Sequence, residues 1–214
     1  MENIDHLKKQ ISIMINLYQA KRFKELIVKG LTLIKKSPDQ AVLYNLIALA
    51  YNAEGNGIDA KKILIKILKK EPENISVLNN LGLACIECGD NDQAEEYLNE
   101  ALKIKSDFPD ALINLGNLKL NQNKSDEAKD FFIKALKINN NLMPAKISLA
   151  GYYEQSGSFE EAKKIYRDII KNYPDFTVAN KSLSLIHKYS LGDDHIKVME
   201  EKLAKNIGDE DTRI

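Results

Sequence analysis

Two cysteines three apart, Cys85-x-x-Cys88, are the first residues whose type and spacing could do chemistry. Such a pair is half of a zinc site or the working pair of a dithiol oxidoreductase. A structural zinc ion takes about four ligands. The chain has no third cysteine, and His6, His187 and His195 lie far off in sequence. A redox pair works from a helix N-terminus, where the dipole favours the thiolate; this pair falls near the end of an apolar-periodic stretch. Cys85 therefore reads as a small core residue and Cys88 as a partly exposed neighbour, with no metal and no cofactor. His187 reads as a packed histidine, His195 as part of a helix start capped by Asp193-Asp194, and His6 as a surface residue. No Ser/His/Asp set has a recognisable spacing, and neither G-x-x-x-x-G-K-[ST] nor G-x-G-x-x-G occurs. Glu95-Glu96 and Glu160-Glu161 read as solvated helix faces rather than as acid and base pairs. Lys21-Arg22-x-Lys24 reads the same way. Tyrosines beside lysines would suit base stacking. However, Tyr51, Tyr153 and Tyr166 recur at apolar places, and Lys+Arg and Asp+Glu are 31 each, for a net charge of zero. Neither catalysis nor nucleic-acid binding is expected.

The elements that carry these residues repeat. Leu81-Gly82 recurs as Leu115-Gly116 and as Leu149-Ala150, each time after 34 residues; stepping back gives Ile47-Ala48 and Ile13-Met14. A small residue follows twelve places on, at Ala60, Ala94, Ala128 and Ala162, and a bulky one at Leu64, Leu98, Phe132 and Tyr166. Pro38, Pro72 and Pro174 mark unit ends. Each unit holds two apolar-periodic stretches of about 13 residues, enough for three to four helical turns. Turn signals lie between them: Gly55-Asn56-Gly57, Gly89-Asp90-Asn91, Asn121-Gln122-Asn123 and Ser156-Gly157-Ser158. Ser125 and Ser158 are expected to cap the helices that follow. Small residues let paired helices approach, and one pair cannot bury its apolar face without stacked neighbours. In the first unit the pattern departs, with Leu26 at the Ala place and Gly30 at the bulky place.

The stretch Asn79-Asn80-Leu81-Gly82-Leu83-Ala84 through Gly89-Asp90-Asn91-Asp92-Gln93-Ala94 to Ala101-Leu102 resembles the tetratricopeptide repeat (TPR). The units are 7–40, 41–74, 75–108, 109–142 and 143–176, with a degenerate capping unit over 177–208 and a frayed tail over 209–214. The resemblance implies an all-α, right-handed superhelix of about twelve helices, a single solenoid domain over 1–208. It also implies that the first helix of each pair lines a concave groove. The groove places then hold Asn45, Asn79, Asn80, Asn114, Asn117, Asn121, Ser148 and Gln155. This row resembles the asparagine ladder of TPR superhelices attached to sugar transferases. It implies a peptide or protein partner held by its backbone, through side chains that contribute little to the stacked core. The Lys/Asn/Arg clamp that binds acidic chaperone tails is not matched, since its places hold Ile11, Asn45, Asn79, Ile113 and Ile147, with only Lys181 basic. The segment Ser184-Leu185-Ile186-His187-Lys188-Tyr189, with Asp193-Asp194-His195-Ile196 and Met199-Glu200, resembles the end of the TPR arm in bacterial TPR-sulfotransferases. That resemblance implies the alternative of a substrate-presenting arm of a larger transferase.

Composition agrees with a packed protein: 44% of the 214 residues are hydrophobic and 29% charged. Two cysteines make no disulfide scaffold. With 28 Lys and 20 Asn, scattered copies of either read as compositional drift. The polar start Met1-Glu2-Asn3-Ile4-Asp5-His6 lacks the form of a signal peptide, and no apolar run reaches the ~18 residues of a membrane span. The expectation is a non-catalytic interaction scaffold, cytoplasmic, free of membrane, with self-association through end caps as a further possibility.

Overall fold

The computed structural model describes residues 2–186 and Lys197. His187, His195, the rest of the capping unit over 187–196 and 198–208, and the tail lie outside the described residues. Eleven α-helices follow one another among the described residues: α1 (Glu2–Gln19), α2 (Phe23–Lys36), α3 (Ala41–Ala53), α4 (Gly57–Leu68), α5 (Ile75–Glu87), α6 (Asn91–Ile104), α7 (Pro109–Asn121), α8 (Ser125–Ile138), α9 (Met143–Gln155), α10 (Phe159–Asn172) and α11 (Thr177–Ile186). The architecture is an all-α helical repeat solenoid. Odd-numbered helices are the first of each pair and even-numbered ones the second. α1 starts at Glu2, five residues before the expected unit boundary at residue 7; no Pro or Gly stands in that stretch to stop it.

The chain divides into two compact units, the first ending at Lys124 and the second beginning at Ser125. In the first, each helix from α1 to α7 packs on the next, and α3 also touches α1 and α5, as α5 touches α7. In the second, α9 lies against both α8 and α10, and α10 against α11. The repeated small and bulky places are the core: Ala60, Leu64, Ala94 and Leu98 in the first unit, and Ala128, Phe132 and Ala162 in the second, are wholly buried.

Close approach explains the small places. A Cβ on Gly82 would stand 2.5 Å from Leu98 Cγ, so the bulky residue of the pair fills the space that glycine leaves. In the first repeat the two sizes are exchanged. Met14 takes the Gly82 place and Gly30 the Leu98 place, and a Cβ on Gly30 would meet Met14 Cε at 2.9 Å. Total volume across the contact is kept, which is what a packed core requires. Gly30 of the first repeat is thus compensated by Met14, and Ile47 of the next repeat shares that space, its Cγ1 closer still to the same Cβ.

The turn between paired helices is built the same way five times. The left-handed residue is Lys21, Gly55, Gly89, Asn123 or Gly157, with φ between 55° and 76°. The next N–H returns to the carbonyl five residues back: Arg22 to Leu17, Asn56 to Tyr51, Asp90 to Cys85, Lys124 to Lys119 and Ser158 to Tyr153, at 2.8–2.9 Å. This is the Schellman closure, which satisfies carbonyls that the helix end leaves open. At the starts of α4 and α5 the caps are asparagines. Asn56 Oδ1 accepts from Asp59 N at 3.2 Å and Asn74 Oδ1 from Val77 N at 3.1 Å. The two serines expected as caps do not serve so. Ser158 stands at the cap position without a side-chain cap bond, and Ser125 is already the first residue of α8. The Ser158 hydroxyl lies instead 3.2 Å from that of Ser156.

Candidate functional site

Helices α3, α5 and α7 bring four of the singled-out asparagines into one hydrogen-bonded row. Asn114 Nδ2 donates to Asn79 Oδ1 at 2.9 Å. Asn79 Nδ2 donates to Asn80 Oδ1 at 3.4 Å, and Asn80 Nδ2 to Asn45 Oδ1 at 3.0 Å. The links between helices join residues 35 apart, one more than the repeat length, because each repeat hands its amide to the neighbouring place on the next. Asn79 and Asn80 are 7% and 8% exposed, while Asn45 and Asn114 are half-buried. Buried amides of this kind need partners, and here they find them in one another. Each amide carries two N–H donors and two acceptor lone pairs, so the row keeps bonding capacity at its open ends. Leu46 stands where the next amide would be, and the row stops at Asn45.

Asn117 and Asn121 follow Asn114 along one face of α7, at i+3 and i+7; Asn117 is half-buried and Asn121 exposed. Ser148 and Gln155 share a face of α9 in the second unit, half-buried and exposed respectively. The expectation that these side chains contribute little to folding does not hold for Asn79 and Asn80, whose burial and mutual bonds tie three helices together.

An ion pair between a buried lysine and a half-buried glutamate escaped the sequence reading. Lys119 is 4% exposed, and its Nζ reaches Glu95 Oε1 at 2.6 Å. Glu95 is therefore not part of a solvated face, whereas its neighbour Glu96 is exposed. The signal was present. Lys119 falls at the inward place held by Tyr51, Cys85 and Tyr153, and Glu95 at the place held by Lys61 and Lys129. The two places face each other between adjacent repeats. Where the second helix offers Lys129, the next first helix offers Tyr152 and Tyr153, whose rings lie 5.8 and 5.6 Å from the ammonium. Where it offers Glu95, the next offers Lys119.

Cys85 is wholly buried near the end of α5, and Cys88 is the residue that closes that helix, half-buried. Burial pushes the Cys85 thiol up to about 11, which keeps it protonated and unreactive. Cys88 Sγ lies against Gly57, where an added Cβ would meet it at 3.0 Å. Nearby, Lys61 Nζ donates to Asp90 Oδ2 at 2.8 Å, and that bond raises the lysine's pKa. Arg22 is held by Glu25 through two bonds of 2.7 and 2.6 Å, at the exposed turn after α1. Among the described residues no three His, Cys, Asp or Glu side chains gather as a metal site, and no helix is long and apolar enough to cross a membrane.

No curated protein matches the chain significantly. Solved structures do, and they show the fold. TTC0263, a thermophilic TPR protein of Thermus thermophilus, superposes with a TM-score of 0.78 at 15% identity, over 84% of this chain and 97% of that one. A chain of the APC/C hetero-tetramer Cut9-Hcn1 gives 0.73 at 17% identity, over 91% of this chain and 39% of that one. The protein pilF of Pseudomonas aeruginosa gives 0.64 at 19% identity, over 96% and 100%. A family profile described as the tetratricopeptide repeat protein 21 N-terminal ARM repeat matches residues 15–182. The repeat period, the helix pairs and this match agree, and the chain belongs to that TPR-like repeat family.

Proposed function

We propose that the chain is a non-catalytic interaction scaffold that holds an extended peptide or protein segment, by its backbone, along α3, α5 and α7. The hydrogen-bonded asparagine row carries this reading. Its amides are already fixed by one another, so a ligand that bonds to them orders few further side chains, which favours affinity. Asn45, Asn114 and Asn117 are half-buried and accessible at the row's ends. Amides present donors and acceptors together, and a peptide backbone presents the same pair. Recognition of that kind is tolerant of ligand side chains. A photocrosslinking residue placed at position 117 tests the proposal without knowledge of the ligand, against the same residue at position 139, in the exposed turn after α8. Discrete adducts from position 117 alone are expected in the protein's own cells. Adducts from neither position, or equally from both, would contradict a site on α7.

A further inference from the structure

The zero net charge conceals two opposed patches in the first unit. Residues 7–40 carry eight Lys or Arg against Glu25 and Asp39, while residues 75–108 carry seven Asp or Glu against Lys103 and Lys105. The surplus comes to the surface on the second helices. α6 exposes Asp92, Glu96 and Glu100, spaced four apart on one stripe. α2 exposes Lys24 and Lys35, eleven apart and so on one face, with Val28 between them at 67% exposed. Among the described residues Lys24 and Lys35 meet no carboxylate, and the three acidic residues of α6 meet no ammonium. Like charges four apart on a helix repel, so the α6 stripe lowers stability where it stands alone.

The two stripes are the same surface of the repeat. Positions 24, 58 and 92 are 34 apart, as are 28, 62 and 96. They therefore face one side of the unit, with α4 between them; on that stripe α4 exposes Ile58 at 61%, Lys62, which Asp59 pairs at 3.2 Å, and Lys66. We propose that this side docks a second copy of the chain about a two-fold axis over α4, with α2 of each copy against α6 of the other. Such a contact is self-complementary and closes at two copies. Opposite charges meet twice, and Val28 and Ile58 supply the apolar surface between them. The proposal uses the second helices and stands apart from the peptide reading, which uses the first.

Sedimentation of the full chain at about 0.05 M and about 0.5 M salt tests it, because exposed charges are screened within a few ångströms at high salt. At low salt the expected mass is about twice 24.2 kDa, falling towards 24.2 kDa at high salt. Lys24→Glu with Lys35→Glu, and Glu96→Lys with Glu100→Lys, should each give a monomer with an unchanged helical spectrum. An equal mixture of the two double variants should restore the dimer, because each then offers the charge that the other lacks. A wild-type monomer at low salt, an association that neither charge reversal weakens, or no complex in the mixture overturns the proposal. So does a wild-type chain that stays monomeric while it binds vesicles of anionic phospholipid.

Discussion

At the scale of single residues, the account turns on side chains that look polar and stand inside. Lys119 is the clearest, and its partner Glu95 is half-buried. Removing the carboxylate takes a charge-assisted bond from an ammonium in a site with little water, and hydrogen bonds to charged groups contribute about 1.5–3 kcal/mol. Glu95→Ala should lower unfolding free energy by about 2 kcal/mol, and Glu96→Ala, at an exposed place, by under ~0.5 kcal/mol. Urea unfolding in high salt measures both, and equal losses would refute the ion pair. Cys85 offers a pH test. Its thiol ionises near 11 in the fold against an ordinary 9.0. Between those values the unfolded chain gives up a proton that the native chain keeps, so stability falls as pH rises. Below pH 9.0 the effect is absent. The difference in stability between wild type and Cys85→Ala should therefore be flat below pH 9.0 and shift against the wild type above it; a flat difference up to pH 11 would mean an accessible thiol. The buried state of Cys85 was legible from its place in the repeat. That of Lys119 was not, because a lysine is stable at such a place only with a counter-charge, and the repeat period does not say that Glu95 reaches it. An inward place can hold a lysine when a facing repeat supplies the counter-charge.

At the scale of elements, helix pairing was legible from apolar period and turn residues, since burial of one helix face imposes that period. Cap identity was not. Serine and asparagine cap about equally well in isolation, so residue type does not single out the caps in a chain that holds 20 asparagines. The geometry of each turn decides. Asn74 bonds Val77 N and also Glu71 through its amide, at 2.6 Å, while Ser158 makes no cap bond. Asn74→Ala should cost about 1 kcal/mol, and Ser158→Ala close to nothing. Thermal melts of the two variants decide this, and the reverse order would move the cap. The turn itself gives a stabilising prediction. Lys21 sits in the left-handed region where three of the equivalent turns have glycine. A non-glycine residue there costs roughly 1–2 kcal/mol, partly offset because glycine adds freedom to the unfolded chain. Lys21→Gly should raise stability by about 0.5–1 kcal/mol; a lower melting temperature would show that another contact of Lys21 holds the turn.

At the scale of the whole molecule, the 34-residue period gave the architecture directly, because each repeat buries its apolar face only against its neighbours. The period runs unbroken through Lys124 and Ser125, so it carries no mark of the division found there. Of the candidate site, the row of asparagines was legible as a repeated place. Its internal bonding was not, because the period aligns Asn80 with Asn114 while the contacts join Asn80 to Asn45 and Asn114 to Asn79. This changes how function is best tested. Asn80→Ala would strip Asn45 and Asn79 of a partner and disturb folding as well as binding; Asn114→Ala takes one bond from Asn79, so the unfolding free energy of that variant is measured beside its affinity, while Asn117 is half-buried outside the bonded row. The most direct measurement is calorimetric titration of a peptide selected on the chain from a random library. It is carried out on wild type, on Asn114→Ala with Asn117→Ala, and on Asn139→Ala with Asn140→Ala in the exposed turn after α8. Two lost amide bonds, at about 0.5–1.5 kcal/mol each, predict affinity weakened by roughly 5- to 150-fold for the first variant, and none lost for the second. Equal affinity for all three proteins would contradict a ligand held by the asparagine row.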